Sequence, residues 1–180
     1  LTERQNIYHF RAASVVRREH NMGEKLKCFT YIADENSRAL ILGSMPSVRS
    51  LQLQQYYAHP QNRFWRVMFA LAGREFSSDY QEKKSVLAAL RVALWDTIGE
   101  CERVGSMDGN IKNAQPNDIA GLLEKYPDIV RIAANGGKSA ETLKKFFPQI
   151  SFVRLPSTSP ANAAVSLNKL IEEYGRFIFG

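Results

Sequence analysis

Residues 39–42, ALIL, contain no polar position at all, the pattern of a strand covered on both faces. Just before them, residues 28–32 (CFTYI) read as another strand, set apart by the turn-forming ADENS. From 63 to 72 the period changes. Phe64, Trp65, Met68, Phe69 and Ala72 recur at helical spacing, and Gly73 closes the segment. A helix is predicted over 80–90, with Val86, Leu87 and Leu90 inward. The four apolar residues 92–95 fit either the end of that helix or a brief buried strand. Pro116-Asn117-Asp118 opens a helix through Leu122, Leu123 and Tyr126, with Asn117 as its cap. Then come a strand over 129–134, the turn Asn135-Gly136-Gly137, a helix over 139–147 and a strand over 151–155. A last helix carries Leu167, Leu170, Ile171, Tyr174, Phe177 and Ile178 on one side, with Asn162 or Ser166 as its cap. Strands alternating with helices imply a mostly parallel sheet covered on both faces. Ligands bind such sheets outside the carboxyl ends of the strands.

Two loops leave strand carboxyl ends and would share one cleft. The first begins at Gly43, and from there to Met68 the chain contains no Asp or Glu. A loop this long without structure of its own is more often functional than not. The second is PSTSPANAA, from Pro156. Composition changes this picture little. At 180 residues and 44% hydrophobic, the chain has the material for one domain with a substantial core. No apolar run is long enough to cross a membrane, and no signal-peptide pattern opens the sequence. Residues 1–21 read as an N-terminal extension, non-native or the product of a misplaced start, ahead of a single domain at 22–180; a native helix packed through Phe10, Val15 and Val16 is the alternative. The two cysteines, Cys28 and Cys101, have no metal spacing and cannot supply a four-Cys cluster. Reduced thiols and a cytoplasmic location are expected. The net charge of +6 favours an anionic partner, although the basic residues are scattered rather than clustered.

Four blocks in order carry a family likeness: GSMPS, YYAHPQNRFW, ALWDTIGECERVGSMDGNI and LPSTSPANA. Together they resemble the uracil-DNA glycosylase superfamily, and most closely its hypoxanthine (deoxyinosine) DNA glycosylase branch. The likeness spans nearly all of residues 26–180. It implies a three-layer α/β/α sandwich around a short, mostly parallel sheet, in agreement with the pattern above. It also implies a monomeric base-excision-repair enzyme that flips a deaminated nucleotide out of DNA and hydrolyses its N-glycosidic bond, without metal or cofactor. Bond cleavage of this kind leaves an oxocarbenium-like sugar, so a strong base is dispensable. A well-held water and electrostatic help for the leaving base are needed instead. A loop without carboxylates suits that chemistry.

The resemblance assigns the water-holding amide to Asn62, in the segment HPQN; by residue type Asn62 serves equally as a helix cap. In the mismatch-uracil branch an Asn follows the first glycine, where this chain has Ser44. Gly43, Ser44, Met45 and Pro46 are expected on the pocket floor, with His59 a donor to the leaving base and Phe64 the preferred stacking ring over Tyr56 and Tyr57. Trp65 is read as core, and Asp108 as structural. Pro156, Ser157, Thr158, Ser159 and Pro160 are expected at the DNA, with Ser157 and Ser159 on phosphates. No Lys lies in either loop, which implies a monofunctional enzyme. Lys138 and Ser139, at a helix start after two glycines, are a setting for a phosphate but not a P-loop. Three other readings fit the residues: the same chemistry on mismatched uracil or thymine, a non-catalytic DNA-binding module, and a hydrolase of free nucleotides.

Overall fold

The computed structural model describes residues 24–180. The extension read at residues 1–21 lies outside the described residues. In chain order the elements are β1 (Glu24–Lys27), β2 (Ala39–Gly43), α1 (Val48–Leu53), α2 (Phe64–Leu71), α3 (Tyr80–Leu90), β3 (Val92–Asp96) and β4 (Ile98–Arg103). A short 3-10 turn (Asp108–Asn110) leads to β5 (Lys112–Pro116), α4 (Ile119–Lys125), β6 (Arg131–Asn135), α5 (Gly137–Phe146), β7 (Val153–Leu155) and α6 (Leu167–Phe179).

The centre is a four-stranded parallel sheet in the order β3-β2-β6-β7. Every residue of β2 and β3 is buried, as strands covered on both faces require. Residues 92–95 therefore belong to a strand rather than to the end of α3. Helix α2 buries Phe64, Trp65, Val67, Met68 and Phe69 and packs on α3 and α6. On α5, the buried Ser139 donates from its hydroxyl to the Leu42 carbonyl (2.7 Å), tying that helix to the end of β2. Ser139 is thus a structural tie and not a phosphate ligand. The α/β class and the parallel sheet agree with the sequence reading.

A second sheet is antiparallel, with order β1-β4-β5 and register shifts between β4 and β5. It was not foreseen. Conversely, residues 28–32 do not form the expected strand. Their backbone bonds to strands are a single bond from Cys28 N to Gly99 O (2.7 Å) and the bridge between Ile32 and Leu94. Their carbonyls are served by side chains instead: Tyr56 Oη donates to Phe29 O and Thr30 O, and Trp95 Nε1 donates to Phe29 O (3.1 Å). Nor is the first loop free of structure. It contains α1, capped by Ser47, whose hydroxyl accepts from Ser50 N (3.1 Å). Helix α4 is capped by Asp118, while Asn117 reaches across to the Asp96 carbonyl (2.8 Å). Ser166 caps α6, one of the two residues expected there.

Candidate active site

All four parallel strands end at one place. Gly43, Asp96, Asn135 and Leu155, the last residues of β2, β3, β6 and β7, all line an open cavity of about 820 Å³. Both loops contribute to its wall, the first through Ser44, Met45, Tyr57, His59 and Asn62, the second through Pro156 to Asn162. The cleft that the two loops were expected to share is therefore present.

Hydrogen bonds hold the loops against each other. The Arg63 guanidinium donates to the carbonyls of Val165, Asn162 (2.8 Å) and Ser159 (3.3 Å), and Arg63 N donates to Thr158 O (3.1 Å). Asn135 makes a second tie. Its Nδ2 donates to Tyr57 Oη (2.9 Å) and Thr158 Oγ1 (3.0 Å), and its Oδ1 accepts from Thr158 N (3.1 Å). Tyr57 has a left-handed backbone (φ 52°), uncommon for a bulky residue, and its ring stacks on Phe64 at 4.2 Å. Stack and amide bond together hold that conformation.

Asn62 stands on the cavity wall at the entrance to α2. Its Oδ1 accepts from Phe64 N (3.0 Å), the first N–H of α2, which fixes the amide in orientation; Arg63 takes the N-cap position, so Asn62 lies one residue outside the cap expected of it. A carbonyl oxygen has two lone pairs, and the second is available to a water. His59 also reaches the cavity. Its Nδ1 accepts from Gln61 N (3.2 Å), which leaves the Nε2–H as a donor.

Three expected residues take other places. Phe64 is fully buried beneath Tyr57, so Tyr57 and not Phe64 offers its ring to the cavity. Pro46 is off the wall, its carbonyl accepting from the buried Arg103. Thr158 is fully buried, and its hydroxyl is committed to Asn135, which removes it as a surface DNA ligand. Ser157 and Ser159 do face the cavity. Each hydroxyl accepts from a backbone N–H two residues on and keeps its own hydrogen to donate.

The sequence reading missed Asp96. This carboxyl is 3% exposed, has no ion-pair partner among the described residues, and opens on the cavity. Burial pushes its pKa up to about 7. A hydrogen bond from the Cys28 thiol (3.6 Å) lowers it, the charge of Asp108 raises it, and Arg103 lowers it again. A side chain on Gly43 would be impossible here, because its Cβ would stand 2.1 Å from Asp96 Oδ1 and 3.0 Å from Tyr57 Oη. Asp108, at the outer rim, accepts from the Ser44 hydroxyl (2.7 Å), an anchoring role consistent with the structural reading.

A parallel α/β sheet whose strand ends and two interlocked loops enclose a polar, aromatic-walled cavity defines a class. The chain belongs to the uracil DNA glycosylase superfamily, whose family model matches residues 29–175. Within it, the chain is 38% identical over 144 residues to the Hypoxanthine DNA glycosylase of Methanosarcina acetivorans, covering 78% of this chain and 90% of that protein. It is 36% identical over 118 residues to the Hypoxanthine DNA glycosylase of Methanosarcina barkeri strain Fusaro, covering 65% and 75%. The solution structure of a candidate uracil DNA glycosylase from Methanosarcina acetivorans superposes with a TM-score of 0.74 at 34% identity, over 86% of this chain and 97% of that one.

Proposed function

We propose that this protein is a monofunctional DNA glycosylase that flips deoxyinosine out of DNA and hydrolyses its N-glycosidic bond, releasing hypoxanthine. The observation that carries the reading is Asn62: an amide locked by its bond from Phe64 N, on the wall of the cavity where the two loops meet. The relatives named for hypoxanthine give the substrate.

In this reading the flipped nucleotide enters the cavity with its base against Tyr57. Asn62 Oδ1 accepts a hydrogen from the attacking water and holds it on the face of the sugar opposite the base. As the glycosidic bond lengthens, positive charge develops on the sugar and negative charge on the base. Asp96, ionised above about pH 7, opposes the first in a site of low dielectric. The Nε2–H of His59 donates to the second, a role supported by its Nδ1 being taken up as an acceptor from Gln61 N. Ser157 and Ser159 take the phosphates flanking the flipped nucleotide. No lysine is found among the cavity-lining residues, in keeping with hydrolysis rather than a Schiff base on the sugar. Lys138 is paired with Glu141 (3.4 Å) instead. The protein is taken to act on DNA as a monomer in the cytoplasm, its thiols reduced.

The test is base release from end-labelled duplexes carrying one deoxyinosine or one deoxyuridine, followed by alkali, with free deoxyinosine assayed alongside. Strand breaks at inosine are expected. Breaks at uracil alone would keep the chemistry and change the substrate. Cleavage of the free nucleoside without preference for DNA, or binding without any release, would overturn the reading.

A further inference from the structure

The carboxyl of Asp96 accepts a single hydrogen bond among the described residues, from the Cys28 thiol to Oδ2 (3.6 Å). Its other oxygen, Oδ1, has no such partner. That oxygen is flanked by Gly43 and by the Tyr57 hydroxyl, and Gly43, Tyr57 and Asp96 all line the cavity. A side chain 3% exposed, closing β3, thus turns one oxygen to the thiol and leaves the other on the side from which a substrate approaches.

Cys28 has one proton and three oxygens within reach: Phe29 O (3.2 Å), Asp96 Oδ2 (3.6 Å) and Tyr56 Oη (3.9 Å). Phe29 O already accepts from Tyr56 Oη (3.2 Å) and Trp95 Nε1 (3.1 Å), which fills both its lone pairs. Tyr56 Oη, whose own hydrogen points at Phe29 O and Thr30 O, offers only a neutral acceptor. Ionised Asp96 is the charged acceptor of the three and takes the thiol proton. Yet a thiol is a weak donor, so it offsets little of the cost of burying a carboxylate. The other titratable or charged groups that face Asp96 are Tyr56 and Tyr57 from the first loop, Arg103 from β4 and Asp108 from the turn before β5, with His59 on the same cavity wall. Burial keeps both phenols protonated. Arg103 and Asp108 act through charge, in opposite senses, and neither bonds to the carboxyl.

We propose that Cys28 is a positioning residue of the site: its thiol holds Asp96 Oδ2 so that Oδ1 is presented to the cavity, and its weakness as a donor keeps the carboxyl able to change between acid and anion in the neutral range. The anion is the form that opposes the charge developing on the sugar, so Cys28 fixes the pH above which base release is fast. This inference rests on the role given to Asp96 in the glycosylase reading above.

The experiment follows the Asp96 carboxyl carbon by NMR from about pH 5 to about pH 9 in wild type, Cys28→Ala and Cys28→Ser, with Asp96→Asn identifying the signal. Thermal unfolding confirms that each variant is folded. Removing the single donor in Cys28→Ala raises the midpoint by about half a unit or more. Cys28→Ser retains a donor and keeps the midpoint at or below that of wild type. Single-turnover release of hypoxanthine from an inosine duplex follows the same order: Cys28→Ala is about threefold slower on the acid side and approaches the wild-type rate once Asp96 is fully ionised. A purely structural role for Cys28 would instead lower the rate by one factor at every pH and leave the NMR midpoint in place. That result, equal midpoints in Cys28→Ala and Cys28→Ser, or release that does not follow a moved midpoint overturns the proposal. The NMR titration needs no turnover. A midpoint that moves as expected in a protein that releases no base upholds Cys28 as the residue that sets Asp96 and refutes the glycosylase reading alone.

Discussion

At the scale of single residues, Asp96 has the most to say. An acid with no cationic partner among the described residues, closing a buried strand, is raised by burial to about 7, whereas in the unfolded chain it titrates near ~3.9. Its protonated form is therefore the one the fold favours. That contribution is complete below about pH 4 and is lost as pH rises to about 7, a total of about 4 kcal/mol at most. Asp96→Asn removes the titration. Urea unfolding should show the variant gaining stability relative to wild type between pH 4 and 7 and holding a constant advantage above it. A difference that does not change with pH would mean the carboxyl is better solvated than its surroundings indicate. Gly43 answers to the same group. Gly43→Ala drives a methyl into the Asp96 carboxylate, and destabilisation of about 1–3 kcal/mol is expected in the same unfolding measurement. Asp96 was readable in principle. It ends the run VALWD as Asn135 ends RIAAN, and a polar residue closing a buried parallel strand stands where such sheets bind ligands. The long carboxylate-free loop drew attention away from both.

Among elements, legibility followed the strength of the period. Helices α2, α3, α5 and α6 and the buried strands β2 and β6 announced themselves, since each has several turns of apolar spacing or an unbroken apolar run. Helix α1 has six residues and depends on its Ser47 cap more than on a stripe. Strand β4 hides for another reason. Its bulged pairing with β5 breaks the alternation, so Ile98, Cys101 and Arg103 are buried at uneven intervals. Residues 28–32 misled in the opposite direction, because apolar side chains that pack on the core need not bring a ladder with them. What joins the elements at the site is Arg63, whose guanidinium spans three carbonyls of the second loop. Arg63→Ala is expected to cost about 2–4 kcal/mol and to accelerate hydrogen exchange selectively over residues 158–165. Lysine at this position will not restore protection, since one ammonium cannot replace a planar fork. Exchange that rises uniformly across the chain would show that Arg63 stabilises the fold without holding the loop.

For the whole molecule, the sheet acts as a platform: four strand ends set the floor, and two tied loops set the walls. Sequence pattern located the platform, and the four-block resemblance located Asn62. Neither revealed that Phe64 lies beneath Tyr57 or that Thr158 turns inward, because the first depends on packing within the first loop and the second on Asn135, 23 residues from Thr158 and 78 from the Tyr57 hydroxyl that it also holds. The account stands or falls on Asn62 doing more than holding the first N–H of α2. The direct measurement is the single-turnover rate of hypoxanthine release from an inosine duplex for wild type and Asn62→Ala, with thermal unfolding of both proteins in parallel. Loss of the bond from Phe64 N alone costs about 1 kcal/mol and a few degrees of melting temperature. With that modest loss of stability, the expected result is a fall in rate of about a hundredfold or more, the order of loss seen when a positioned hydrogen-bonding group is removed from a catalytic site. A variant that melts a few degrees early yet releases hypoxanthine at the wild-type rate would contradict the account and leave Asn62 as a structural residue at the entrance to α2.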